Sequence, residues 1–306
     1  MIQLIDPHHN SLSEAVGQAA SDLEGFSVIV PAFNEEHGLP DTIDRLIQLL
    51  KETERDWELI IVDDGSTDAT GAVARSASGV RVLTHSRNAG YGASLKTGIQ
   101  YAKHPLIVIC DADGSYPIET IPHLLDLCAD ADMVVGSRTG STIRSQRLRM
   151  FSKWFLVRFA EWITRRPIPD LNSGLRVFRK SVAQRFLRIF PDGFSFTTTI
   201  TLATLTNRYR VVYEPIEYHP RIGSSKIRPI RDTLGFLQLI LRTGIYFAPL
   251  RIFLPVAAVF FAAFLATLSG DIFFRENITE RTIILLVAGT QIGMFALLAD
   301  MIDKRS

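Results

Sequence analysis

Short apolar runs rich in β-branched residues recur along the first half of the chain. Residues 26–30, 59–62, 80–83, 106–110 and 133–135 read as strands. Segments with helical spacing lie between them, near 38–53, 67–77, 89–103 and 118–129, with Thr67 and Asp68 as helix N-terminal residues. Strand–helix alternation of this kind predicts a parallel, doubly wound sheet. Ligands on such sheets bind beyond the carboxyl ends of the strands, so the polar residues that follow each strand are the first to weigh.

The pattern changes near the end. Residues 252–269 and 282–299 are uncharged and apolar, each about the length that crosses a bilayer, the first more so if it begins at Phe247. A polar connection, 271–281, separates them. Two buried helices of a soluble domain would share this composition, but the length favours a transmembrane hairpin. Arg242, Arg251, Lys304 and Arg305 flank the outer ends, against Arg275 and Arg281 in the connection, which orients the N-terminal part toward the cytoplasm. Residues 228–248 read as an amphipathic helix whose apolar face carries Leu234, Leu237, Ile240, Leu241, Ile245 and Phe247. The expected organisation is an N-terminal α/β domain over 1–227, the one to carry any active site, a juxtamembrane helix over 228–248 and a hairpin with a short tail over 249–306. Met1–Gly25 lacks the basic start and long apolar run of a signal peptide.

Composition sharpens this picture. The chain has 306 residues, 47% hydrophobic and 21% charged, which excludes a disordered chain. Its mean hydropathy of +0.16 fits apolar residues that face lipid. The formal net charge of +1 hides an asymmetry. Residues 1–137 carry 8 Lys/Arg against 21 Asp/Glu, residues 138–188 carry 13 against 2, and residues 189–306 carry 12 against 9. Within the basic stretch, Arg144, Arg147, Arg149, Lys153 and Arg158 alternate with Leu148, Phe151, Trp154, Phe155 and Phe159, a mixture suited to an anionic membrane surface. Nucleic acid explains the charge less well, since no groove-reading module or stacking platform is evident. Cys110 and Cys128 fit no metal spacing and read as buried thiols.

Three acidic motifs fall at strand ends. The first strand runs into Pro31-Ala32-Phe33-Asn34-Glu35-Glu36, the second into Asp63-Asp64-Gly65-Ser66-Thr67-Asp68, and the fourth into Asp111-Ala112-Asp113-Gly114. Any one of these is compatible with an ordinary turn. Three at consecutive carboxyl ends point to one site. A bend at a strand end lets Asp111 and Asp113 converge on a cation, and hard oxygen ligands suit Mg²⁺ or Mn²⁺, which also bind substrate phosphates. Asp64 or Asp63, and Glu35 beside them, can accept hydrogen bonds from a base or ribose. Other chemistries lack their signatures. Gly90-x-Gly92 follows the third strand rather than the first and is no dinucleotide fingerprint. No Gly-x-Ser-x-Gly elbow occurs, and the histidines show no metal-ligand spacing.

These motifs, with Asn88-Ala89-Gly90-Tyr91-Gly92, resemble family 2 glycosyltransferases of the GT-A fold. Gly136-Ser137-Arg138, Asn172-Ser173-Gly174-Leu175-Arg176 and Arg221-Ile222-Gly223-Ser224-Ser225-Lys226-Ile227 narrow the resemblance to the polyprenyl-phosphate glycosyltransferases, which include dolichyl-phosphate mannosyltransferase. It covers about residues 26–228. It implies a doubly wound mixed α/β sheet, followed by the interface helix and the two-helix hairpin. It implies that Pro31, Ala32, Phe33, Glu35, Val62, Asp63 and Asp64 line a nucleotide pocket, with Asp111 and Ala112 beside them. Asp113 would be the main ligand of Mg²⁺ or Mn²⁺, with Asp111. Ser115, where many relatives carry Gln as a further metal contact, completes the expected metal set, directly or through water, and Phe33 replaces a frequent Tyr. Arg138, Arg221, Ser225 and Lys226 would hold phosphate of donor or acceptor. Asp111, Asp113 and Arg138 would be the catalytic set. The resemblance further implies a nucleotide-sugar donor (UDP or GDP), a polyprenyl-phosphate acceptor (undecaprenyl or dolichyl), a membrane location with the active domain on the cytoplasmic face, and a homo-oligomer joined through the membrane helices, a tetramer being one option.

The expected reaction is an inverting single displacement. A phosphate acceptor is already ionised near neutrality, with a second pKa of about 6, so it needs no general base. Residues 194–200, Phe-Ser-Phe-Thr-Thr-Thr-Ile, supply no carboxylate, and the Gln-x-x-Arg-Trp of processive synthases is absent. Two alternatives stand beside this reading: a membrane family 2 enzyme acting on a lipid or glycan hydroxyl, and a non-catalytic protein that binds sugar nucleotide.

Overall fold

The structure is a computed structural model that describes residues 25–139, 147–193, 195–218, 238, 241–242, 244–274 and 277–305. Arg221, Ser225 and Lys226, and most of the expected helix over 228–248, lie outside the described residues. By compactness the chain divides into two units. One comprises Met1–Gln146 and Pro169–Arg228, the other Arg147–Ile168 and Pro229–Ser306.

The first unit is built on a seven-stranded sheet. Its strands are Phe26–Ala32 (β1), Trp57–Asp63 (β2), Val80–Thr84 (β3), Leu106–Ile109 (β4), Met133–Thr139 (β5), Arg176–Arg179 (β6) and Val211–Glu217 (β7), in spatial order β3-β2-β1-β4-β6-β5-β7. The helices are Leu39–Lys51 (α1), Thr70–Ser76 (α2), Tyr91–Tyr101 (α3), Ile121–Leu127 (α4), Lys180–Phe186 (α6) and Phe196–Thr206 (α7), with one 3₁₀ turn at Ile118–Thr120. The fifth helix in chain order, Arg147–Thr164 (α5), belongs to the second unit.

Strands β1 to β4 pair in parallel, as the alternation predicts. The sheet as a whole is mixed: β6 runs antiparallel to both β4 and β5, while β7 is parallel to β5. Pairing also corrects the picture at the far edge, because β6 and β7 gave no clear apolar run. Arg176-Val-Phe-Arg179 is four residues with a charge at each end, too short for a pattern to show.

Strand alternation sorts the core into two layers. Val28 and Val30 of β1, Leu59 and Ile61 of β2, and Val108 of β4 face one cluster, joined by Leu39, Ile43, Leu46 and Leu50 of α1. That stripe repeats at three- and four-residue spacing, the face an amphipathic helix must bury. Ile29 points to the opposite layer, where Gly98 of α3 lies directly against its side chain. The chain therefore winds one way from β1 through β2 to β3, then returns on the other face to β4. The crevice this reversal leaves beyond the carboxyl ends of β1, β2 and β4 is where open α/β sheets bind ligands.

In the second unit, Pro249–Phe274 (α8) and Glu280–Arg305 (α9) form an antiparallel pair. Both are long and apolar enough to cross a membrane by length and composition. Most of their large side chains, among them Leu254, Val259, Leu265, Phe295 and Leu298, face outward. The turn between them is closed by one buried acid. Asp271 Oδ2 accepts hydrogen bonds from Thr279 N (2.8 Å), Thr279 Oγ1 (2.7 Å) and Thr282 Oγ1 (2.6 Å). It thus satisfies the start of α9, whose first N–H groups have no partner within the helix. In Asp271→Ala the hairpin loses these bonds. We expect a loss of about 1–3 kcal/mol from the stability of this unit, read as a lower thermal midpoint of the full chain in detergent, with Asp271→Asn intermediate.

Candidate active site

The loops after β1 and β2 are laced to each other. Asn34 N donates to Ser66 Oγ (3.1 Å), and Asn34 Oδ1 accepts from Thr67 N (2.9 Å). Glu35 N donates to Thr70 Oγ1 (2.8 Å), and Glu36 Oε2 accepts from Ala69 N (2.9 Å). Helix α2 begins at Thr70, slightly beyond the expected Thr67 and Asp68, and Asp68 Oδ1 accepts from Thr70 N (3.0 Å). Pro31, Ala32 and Val62 are buried at the ends of their strands, while Phe33 and Glu35 are half-exposed in the crevice.

Asp63 and Asp64 are both buried. Asp63 Oδ1 accepts from Ser66 N (3.0 Å). Asp64 does more: Oδ1 accepts from Ala89 N (2.9 Å) and Oδ2 from Gly90 N (2.8 Å), while His85 Nδ1 lies 2.7 Å from Oδ1. The other ring nitrogen of His85 meets Thr97 Oγ1 at 3.0 Å. Asp64 therefore anchors the loop that enters α3, a role its position in the motif did not announce.

The segment after β4 carries Asp111, Ala112 and Asp113. Asp113 is 5% exposed, and its Oδ1 accepts from Ser115 N (3.1 Å) and from the Ser115 hydroxyl. Ser115 is fully buried, with its hydroxyl turned onto Asp113. Ala112 O accepts from Thr42 Oγ1 of α1 (3.0 Å). Asp111 Oδ1 accepts from the Tyr91 hydroxyl (2.8 Å). Burial, then the nearby Asp111 charge, pushes the Tyr91 phenol well above its ordinary pKa, so it stays a donor. On its other side Asp111 meets the backbone of Gly174, where a Cβ would sit 2.4 Å from Oδ2. That spacing explains glycine at 174.

Arg138, near the end of β5, forms a forked ion pair with Asp170. Nε donates to Oδ2 (2.7 Å), Nη2 to Oδ1 (2.9 Å), and the Arg138 backbone N to Oδ2 (3.2 Å). Burial opposes charge on both groups, yet the pair outweighs it. Hydrogen bonds from Arg138 hold Asp170 below the usual carboxylate range, and Asp170 keeps Arg138 above its ordinary value. The Tyr218 ring lies under the guanidinium at 5.4 Å and meets Tyr116 edge-on at 5.2 Å. Tyr116 Oη in turn accepts from Gly174 N (2.6 Å). A continuous path of contacts thus joins Arg138 to Asp111.

Arg176 underlies this path. It is fully buried, and it donates to Ser173 O (2.8 Å), Leu171 O (2.9 Å) and Thr201 Oγ1 (2.6 Å). Burial lowers its pKa from the ordinary value. Tyr91, Tyr116, Asp170, Arg176 and Tyr218 carried no assigned role in the sequence reading. Tyr91 and Arg176 stand inside quoted motifs, so their position was visible and their purpose was not.

Among the described residues no group of three or more His, Cys, Asp or Glu forms a metal cluster. Asp111 and Asp113 alone suit a cation that keeps water and takes the rest of its shell from substrate phosphate, which is the habit of Mg²⁺. Two anchored carboxylates two residues apart fit that donor set.

Residues 27–187 match the profile of glycosyl transferase family 2, and residues 248–304 match the GtrB C-terminal hairpin. The chain belongs to glycosyl transferase family 2. It is 28% identical over 299 residues to undecaprenyl-phosphate 4-deoxy-4-formamido-L-arabinose transferase of Proteus mirabilis, covering 91% of this chain and 88% of that protein. It is 30% identical over 216 residues to polyprenol monophosphomannose synthase of Mycolicibacterium smegmatis, covering 65% and 80%. Among solved structures, glucosyl-3-phosphoglycerate synthase of Mycobacterium tuberculosis in complex with phosphoglyceric acid aligns with a TM-score of 0.56 at 19% identity, over 75% of this chain and 82% of that one. The same enzyme with Mn²⁺, UDP and its product aligns at 0.54 and 20% identity, over the same shares. The first unit thus has the GT-A fold, and the family member is a glycosyltransferase of the hexosyltransferase type.

Two outcomes follow from this geometry. Gly174→Ala drives a methyl group into the Asp111 carboxylate, so transfer activity should fall at least about 100-fold, the scale of a misplacement of about 1 Å, while circular dichroism stays native. The Asp170 carboxyl is depressed in the folded state. Its stabilising contribution is therefore present above the ordinary carboxylate pKa and is lost as pH falls through the folded value, below about pH 4. Asp170→Asn should flatten that acid limb in thermal unfolding followed against pH.

Proposed function

We propose that this enzyme transfers a sugar from a nucleotide-activated donor, UDP- or GDP-linked, to the phosphate of a polyprenyl phosphate at the cytoplasmic face of a membrane, with inversion. The observation that carries the reading is the contact path from the Asp111 carboxylate through Gly174, Tyr116 and Tyr218 to the Arg138–Asp170 pair. In this reading the Asp111 end of the path receives the donor and the Arg138 end receives the acceptor phosphate. The polyprenyl-phosphate acceptors named in the relatives from Proteus mirabilis and Mycolicibacterium smegmatis support the same choice.

In this reading an acceptor phosphate oxygen attacks the anomeric carbon. The bond from that carbon to the diphosphate breaks, and the nucleoside diphosphate leaves. Pro31, Ala32, Phe33, Glu35, Val62, Asp63 and Asp64 surround the nucleoside. Asp111 and Asp113 would hold Mg²⁺ or Mn²⁺, which would supply positive charge for the diphosphate, and Ser115 steadies Asp113 through its N–H and hydroxyl. Arg138, with Asp170 fixing two donors along one edge of its guanidinium, orients the acceptor phosphate, and Arg221, Ser225 and Lys226 extend that cationic surface. No base is required, because the attacking oxygen is already anionic.

The membrane placement rests on α8 and α9, on the cationic flanks Arg242, Arg251, Lys304 and Arg305, and on exposed Trp154 and Trp162 of α5. We assign residues 1–227 to the catalytic part, 228–248 to a juxtamembrane helix and 249–306 to the hairpin, and expect assembly of several copies through the membrane helices.

Incubating the purified full chain with a panel of UDP- and GDP-sugars, undecaprenyl phosphate and Mn²⁺ or Mg²⁺ tests this. Sugar linked to the lipid phosphate is the expected product. Transfer to a hydroxyl alone, or binding without turnover, would refute it. Asp113→Ala should keep its fold and lose activity by at least about 100-fold, the scale of losing a transition-state charge contact; normal turnover of that variant would remove the metal role.

A further inference from the structure

Helix α3 starts under unusual constraint. Gly90 has φ of 108°, and a Cβ there would lie 2.4 Å from Asp192 O, so the backbone conformation and the close approach both demand glycine. Asp64 grips the N–H groups of residues 89 and 90, and Ala93 N donates to Asp192 O (3.0 Å). The residue between them, Tyr91, is therefore fixed at its Cα from both sides. Its hydroxyl reaches across to Asp111 Oδ1.

We propose that Tyr91 is a positioning residue for the metal-bearing carboxylate, doing for Asp111 what Ser115 does for Asp113. The inference rests on the proposed metal role of Asp111 and Asp113. A carboxylate is acceptor-only, so the phenol must donate to it. With Oδ1 held by Tyr91 and Oδ2 against the Gly174 backbone, the Asp111 carboxylate has one orientation. Asp113 is held in the same manner through its own Oδ1 by Ser115 N and Oγ. With these bonds already made, neither carboxylate has to be reoriented when a cation arrives. Groups that hold a ligand in this way set metal affinity without touching the metal. Because Asp64 sets the loop that carries Tyr91, occupancy of the nucleoside pocket and the pose of Asp111 share one physical connection.

The test is Tyr91→Phe, which keeps the ring and removes the hydroxyl. Free Mn²⁺ is followed by electron paramagnetic resonance during titration of the full-length chain in detergent, alone and with saturating UDP or GDP. The variant should bind Mn²⁺ about 10-fold more weakly than the native chain. Its turnover should recover as Mn²⁺ is raised, and its metal-free thermal midpoint should stay within a few degrees. Native affinity in the variant overturns the inference and leaves the transfer reading intact. So does an activity loss that no Mn²⁺ concentration restores, since a merely structural residue would behave in that way. If the native chain binds no Mn²⁺ under any of these conditions, the metal reading falls and this inference falls with it. If the variant weakens Mn²⁺ while the donor panel yields no lipid-linked product, the positioning role stands and the proposed acceptor fails.

Discussion

Like charges have to be held together at one edge of the sheet, and the first unit is organised around that requirement. Asp63 ends β2 and Asp64 follows it, Asp111 and Asp113 follow β4, and β1 lies between the two strands. Unaided, such carboxylates would repel one another. Here each accepts hydrogen bonds from neutral N–H or O–H donors: Ser66 for Asp63, residues 89 and 90 for Asp64, Tyr91 for Asp111, Ser115 for Asp113. Because most of these donors are backbone groups, meeting the acids' demands also fixes the loops. The turn at 64–66 and the entry to α3 at 89–91 are shaped by the donors these acids take, while 33–36 is tied to the 66–70 turn by hydroxyls and side chains.

Cations answer this acidic edge at two depths. Arg138 is partly exposed and locked by Asp170 through a fork that only a guanidinium can make, so a lysine there would lose one of its two parallel bonds. Arg176 is deeper and bonds to carbonyls and a threonine hydroxyl, so its charge is spread over neutral dipoles. The two arginines have different work. Arg176 shapes the turn 171–175 from beneath, which brings Gly174 to Asp111. Arg138 stays near the surface with a donor edge that Asp170 does not occupy.

The central strands were legible because buried parallel strands are short continuous apolar runs, and β1, β2 and β4 lie within one or two residues of the reading. The helices were legible from spacing, with ends trimmed by a few residues where loops claimed the terminal N–H groups. β6 was not, since a four-residue strand with Arg at both ends has no period to detect, nor was β7, whose run is broken by Glu214 and Pro215. At the site, the acids announced themselves by standing at strand ends. Their partners did not, because a Tyr–Asp or Arg–Asp contact across 20 or 32 residues is a product of the fold and leaves no local pattern. Asp170 illustrates this: beside Leu171 and Asn172 it looks like a turn residue, and pairing alone reveals its role.

The net charge of +1 also changes meaning once the partners are known. Composition could have placed the acids and bases on unrelated solvated faces. Instead Asp170, one of only two acids between 138 and 188, is spent inside the unit on Arg138, and the remaining excess of positive charge belongs largely to residues 144–166 and 176–188. Acids and bases crowd this end of the unit, and each has to be held in a fixed place. Anchoring the strand-end acids with N–H and O–H donors, and fixing Arg138 with Asp170, meets that demand in the same set of loops.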